Sequence, residues 1–300
     1  MGQLQRLQQL IRTRYTGFEG FYAVGGFGFI PKRFFTVSSN DLFKSARLKI
    51  DRASEHITDI NEVLKEKRPF RYIVETDAKA GRRATMAEKD QAVVDALSVR
   101  SGDAIHNLRS ALDHAYGAVV RRVATTDRER RDVQFPFSET ASRLEEARKN
   151  RLAHKVSPEF LAAILSLKPH EESGGNEVLY FMHALDVPDK HAHLIPTAYY
   201  VSFSAEKMRQ QVPDFPRGIS GQLTMSNNGR DVAWDIKPFT LHEWLINRVP
   251  RNGILKQEIN VPVDICFQGR TNSGTMLTVP TLYQFVDVAK SVVRIISRFA

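Results

Sequence analysis

The chain has 300 residues, 42% apolar and 26% charged, a globular composition long enough to bury a sizeable core. Lys and Arg outnumber Asp and Glu by 43 to 34, and the resulting net charge of +9 is compatible with a polyanionic partner such as RNA. With Cys266 as its one cysteine there is no intrachain disulfide or cysteine-based zinc cluster. The cysteine usage makes a reducing cytoplasm the expected compartment, and no apolar run reaches the roughly 18 residues that span a bilayer, so a soluble, non-membrane protein is expected.

Residues 1–38 read as a basic N-terminal arm, with Arg6, Arg12, Arg14, Lys32 and Arg33 against Glu19. Its glycine-rich run, AVGGFGFIP, lacks the GK[ST] of a phosphate loop. After the capping cluster Ser38-Ser39-Asn40, apolar residues from Phe43 through Ala46, Ile50, Ala53, Ile57 and Ile60 to Leu64 predict a long helix ending before Pro69. The run from Phe70 to Thr76 has strand character, and a turn at Gly81 returns it through Ala84 to Met86 as a hairpin. A second long helix is predicted from about Glu88 to Arg122. Asp127 to Asp132 reads as a charged loop and Phe135-Pro136-Phe137 as a buried extended corner, with shorter helices at about 139–150, 158–167 and 176–185.

Beyond residue 194 the periodicity changes. Tyr199, Val201 and Phe203 alternate as a strand, Leu223–Met225 and Val232–Ile236 form a predicted hairpin about Asn228-Gly229, and Ile259 to Phe267 reads as one strand. An amphipathic helix from Leu282 to Phe299 closes the chain. The predicted class is α+β: long antiparallel helices with a β-hairpin at 39–194, then a small antiparallel sheet and closing helix at 195–300, packed as one unit.

The second long helix carries the chemistry. At about 100° per residue, Asp103, His106, Asn107, Arg109, Ser110, Asp113 and His114 occupy one half of the cylinder, and Ile105, Leu108, Ala111, Leu112 and Ala115 the other. Solvated helix faces are ordinarily rich in Lys, Glu and Gln; His, Asp and Asn are poorer helix formers and point to catalysis, metal binding or a buried network. A second polar cluster, Asp186 to His193, supplies Asp189, Lys190 and His191.

Arg109 and His114 form an R-x4-H pair that resembles the Arg-x4-6-His signature of HEPN-type helical proteins. That resemblance implies a metal-independent endoribonuclease without cofactors, of the kind found in toxin and antiviral-defence systems, with Arg109 and His114 as catalytic residues and an antitoxin or defence partner to restrain it. Ser110 follows the arginine where active members often carry Asn, Asp or His. HNLRSALDH followed by DKH also resembles a recurrent set of bacterial proteins carrying both motifs in that order.

Metal-free RNA cleavage needs a base for the 2′-OH proton and a cation for the developing charge, roles suited to His and Arg. On one helix Arg109 and His114 diverge by about 140°, so this reading predicts a homodimer in which each arginine approaches the partner's histidine. His106 and Asp113 would assist, with Asp103, Asn107, Ser110, Asp189, Lys190 and His191 as substrate contacts or supports. A metal-dependent hydrolase using His106, Asp113, His114 and His191 or His193 is the rival chemistry, although ligands two turns apart lie about 10–12 Å from each other. The third reading is an RNA-binding or assembly protein whose His-Asp-Arg face is a structural network. His183 fits either the core or the site. His56, His154, His170 and His242 read as ordinary packing or surface residues, Trp234 and Trp244 as packing, and Arg121, Arg122, Arg128, Arg130 and Arg131 as a solvated face able to guide a phosphate backbone.

Overall fold

Ala46, Ile50, Ala53, Ile57 and Ile60 line the buried face of α1 (Lys44–Glu66) and meet the apolar half of α2 (Gln91–Val120). The computed structural model describes residues 41–191, 197–226, 232–267 and 276–300; the basic arm and the Asn228-Gly229 turn lie outside them. Asp90 caps α2 by accepting from the Val93 N–H at 3.2 Å, and the helix runs unbroken through Gly102. Ile105, Leu108, Ala111, Leu112 and Ala115 are all fully buried, as their periodicity requires. The remaining long helices are α7 (Glu177–His191), against α2, and α10 (Thr278–Ile296), against α1, α2 and α7. Among the described residues no helix is long and apolar enough to cross a membrane.

Between α2 and α7 the chain makes four short helices: α3 (Asp127–Arg131), α4 (Ala141–Asn150), α5 (Ala153–Val156) and α6 (Pro158–Ser166). The expected charged loop at 127–132 is therefore largely helical, because the Thr126 hydroxyl caps it by accepting from the Glu129 N–H. Phe135 is buried as expected. Asn176 starts α7, its Oδ1 accepting from the Leu179 N–H at 3.0 Å, and the helix runs six residues beyond the expected end at Leu185.

The fold is α+β, with two four-stranded antiparallel sheets where one was expected. The predicted hairpin is β1 (Phe70–Asp77) with β2 (Arg82–Lys89), turning at Gly81, whose φ of 66° favours glycine. β3 (Thr197–Ser204) leads into α8 (Ala205–Gln211), followed by β4 (Gln222–Ser226) and β5 (Ala233–Asp235). β4 and β5 are not partners: β4 pairs with β3, whereas β5 crosses to the edge of β2, so the predicted second hairpin is corrected. After α9 (Leu241–Ile246) comes β6 (Ile254–Glu258), a strand the periodicity did not predict, which joins β1; the strand expected at 259–267 is shorter, only β7 (Val263–Phe267), which joins β3. It starts after Pro262, which has no N–H to continue a ladder. β8 (Met276–Leu277) completes the orders β5-β2-β1-β6 and β4-β3-β7-β8. The first sheet thus mixes strands from either side of residue 194, and the described residues form one compact unit.

Candidate functional site

The polar half of α2 divides into two arrays. Arg109 heads the first. It lies within one turn of both Ile105 and Leu112, at the margin of the apolar face, and only 6% of its side chain is exposed. Its guanidinium donates to Asp113 Oδ1 at 2.5 Å, to the Phe135 carbonyl at 3.4 Å and to His183 Nδ1 at 3.4 Å, and its Cζ lies 4.6 Å from the Phe137 ring centroid. Asp113 also accepts from the Phe135 N–H at 2.7 Å, and the His183 ring stacks on Phe137 with centroids 4.3 Å apart. Arg109 and Asp113, both sequence-predicted catalytic residues, thus tie α2 to the Phe135–Phe137 corner and, through His183, to α7.

The second array faces outward. His106 is 44% exposed, and its Nδ1 lies 3.1 Å from Oδ1 of Asp186, whose side chain is 1% exposed. In the tautomer in which Nδ1 donates to this carboxyl oxygen, Nε2 is the acceptor, facing Ser110 Oγ at 3.4 Å. Asn107 is held on both sides, donating to the Asp103 carbonyl at 2.8 Å and accepting from Lys49 Nζ of α1 at 3.1 Å. Asp103 itself is exposed. His114, half-buried, is held below the usual histidine range first by burial and then by the cations Lys49 and Arg121, against an opposing pull from Asp113. Arg109 and His114 therefore belong to different margins of the helix, as the spacing implies.

Asp189, Lys190 and His191 complete α7 as backbone, but their side chains, like His193, lie outside the described residues. Among the described residues no group of three or more His, Cys, Asp or Glu is placed to hold a metal. A cleft of about 280 Å³ beside Arg109 is lined by Gln134, Arg151 and His183, and a second of about 450 Å³ by Glu139, Arg143, Tyr180 and His183. His56 and His170 are buried, His154 and His242 exposed. Trp234 packs edge-on against Phe215, and Trp244 is half-buried beside Lys79. The Cys266 thiol is buried and pushed up to about 11, so it is no nucleophile near neutrality.

Asp186 is not among the sequence-predicted site residues. A signal for it existed: Leu179, Met182 and Asp186 follow one helical stripe, and a carboxylate on a buried apolar stripe requires a partner. No family model, no curated protein and no solved structure matches the chain.

Proposed function

We propose that the chain is a metal-independent, RNA-directed acid–base enzyme in which His106 and His114 move protons and Arg109 holds the scaffold. The observation that carries this reading is the orientation of His106. A buried carboxylate fixes one ring nitrogen, and the other is open at a partly exposed surface beside a hydroxyl. Ser110 lies midway between the two histidines, one turn from each, so a phosphodiester seated over it has an imidazole on either side. Lys49 supplies the cation to this stripe that the motif reading sought from Arg109.

In this mechanism His106 Nε2 takes the 2′-OH proton, the 2′-oxygen attacks phosphorus, and His114 protonates the departing 5′-oxygen in its charged form, which burial, Lys49 and Arg121 disfavour and which is therefore supplied on the acidic side of the usual histidine range. The products are a 2′,3′-cyclic phosphate and a free 5′-hydroxyl. All groups come from one chain, so the site does not depend on a dimer. A toxin or defence role with a restraining partner accompanies this proposal.

The second reading, an RNA-binding or assembly protein with a structural His-Asp-Arg network, draws on the enclosure of Arg109 and Asp113. Incubating the protein with mixed RNA in excess EDTA separates the two. Wild type should leave 2′,3′-cyclic ends, and His106→Ala, His114→Ala and Asp186→Asn should lose cleavage while keeping their fold. Failure of wild type to cleave, with or without added metal, would move the conclusion to the second reading.

A further inference from the structure

α9 presents its aliphatic side chains to solvent: Leu241, Leu245 and Ile246 are 78%, 70% and 65% exposed. The helix is firmly built, since Thr240 and Glu243 form a reciprocal capping box, so these exposures belong to an ordered surface. The other exposed large apolar residues, such as Leu48 and Val99, are scattered and need no explanation.

The surroundings are basic. Lys79, in the β1–β2 turn, donates to the Arg251 carbonyl and lies 6.0 Å from the Trp244 ring centroid; the Ala78 carbonyl beside it accepts from the Phe239 N–H. This brings Lys79, Lys237, Arg248 and Arg251 to the end of the first sheet that carries α9. Among the described residues none of these four cations forms an ion pair, and together with Arg82 they outnumber the three nearby carboxylates, Asp77, Asp235 and Glu243. Glu243 caps α9, Asp77 accepts from two backbone N–H groups of its turn, and Asp235 faces Arg82. Arg248 sits at a φ of 47°, where glycine would be less strained, yet it contributes a charge to the rim.

We propose that α9 and its cationic rim form a docking surface for an anionic lipid bilayer, with Leu241, Leu245 and Ile246 entering the acyl boundary and the rim meeting the headgroups. Charge complementarity selects this occupant: aliphatic tips with flanking Lys and Arg match an interfacial anchor. The surface is independent of the α2 site, and it lies on the membrane without crossing it.

The test is co-sedimentation of full-length protein with vesicles of phosphatidylcholine alone and of phosphatidylcholine containing phosphatidylserine. Leu241→Ser/Leu245→Ser and Arg248→Gly are run in parallel; the first changes only exposed side chains, and the second relieves the backbone while removing a charge. Wild type should bind the anionic vesicles, with the leucine variant weaker by about tenfold and Arg248→Gly by roughly fivefold, and bind neutral vesicles far less. Absence of binding, or binding that neither variant changes, as attraction through the basic arm would give, overturns the proposal. A lower melting temperature in the leucine variant overturns it by showing that the patch packs within the chain. Loss of a dimer or of RNA binding in that variant assigns the face to a second copy or to nucleic acid instead.

Discussion

Arg109 and His114 sit five positions apart on one helix and meet opposite physical circumstances. The arginine is enclosed, donating to a carboxylate, a carbonyl and an imidazole, and its removal leaves Asp113 facing the buried Phe135–Phe137 corner without its cation. Arg109→Ala should therefore cost about 3 kcal/mol in urea unfolding, and Arg109→Lys should recover only part of it, since a single ammonium cannot span three acceptor directions. The histidine is disfavoured as a cation in the folded chain. Above the ordinary histidine range both folded and unfolded chains hold it neutral; as pH falls through that range the unfolded chain takes up a proton that the folded chain resists. Stability should drop on this account from about pH 7 toward about pH 5, and His114→Gln should flatten the drop in melting curves recorded across that window. The residue types of the site were legible because His, Asp and Asn stand out on a helix face. The division of labour between them was not, because helical angle alone does not tell which margin the Phe135–Phe137 corner and α7 will cover.

The candidate site is assembled at the level of elements by α7, which brings both His183 and Asp186 to α2. Its starting point is set by a tight loop: Gly175 donates to the Glu172 carbonyl, Asn176 donates to the Lys168 carbonyl, and a Cβ on Gly175 would lie 2.0 Å from the His170 carbonyl oxygen. That neighbour is backbone and cannot swing aside. Gly175→Ala should lower stability by about 2 kcal/mol in chemical denaturation and, by displacing the start of α7, weaken the His106–Asp186 pairing. The pairing can be followed through the His106 imidazole resonances, which should move in this variant and stay in place in a control such as Gly218→Ala, where an added Cβ meets nothing within 4 Å. Helices were the most legible elements here. α1, α2 and α10 each carry a stripe that repeats over several turns, and Ser157 with Pro158 marks the start of α6. Most strands were legible as segments but not as pairs. Asn228-Gly229 is a local turn signal, whereas the partners of β4 and β5 are decided by which of β2 and β3 offers an open edge.

Across the molecule, the change of pattern near residue 194 marks a change of secondary structure within one core. β5 and β6 complete the sheet begun by β1 and β2, and α10 returns to cover α1 and α2 with Leu282, Phe285, Val286 and Ala289. Neither portion closes its own apolar surface: without the C-terminal portion, β1 and β2 lose both outer strands and α1 and α2 lose a wall. Cooperative units follow buried contacts, so residues 41–300 should unfold in one transition. The two tryptophans make this measurable, because Trp234 and Trp244 both lie after residue 194 at the first sheet, while most of the helical signal comes from α1, α2, α7 and α10. Urea transitions followed by tryptophan fluorescence and by far-ultraviolet circular dichroism should coincide in midpoint and slope. A fluorescence transition that precedes the loss of helix would mean that the sheet portion opens by itself, with residue 194 close to a true boundary between folding units. Coincidence would tie the α2 face and the α9 surface to the same folding equilibrium, so that substitutions weakening the shared core, such as Phe285→Ala, would lower the population competent at both together.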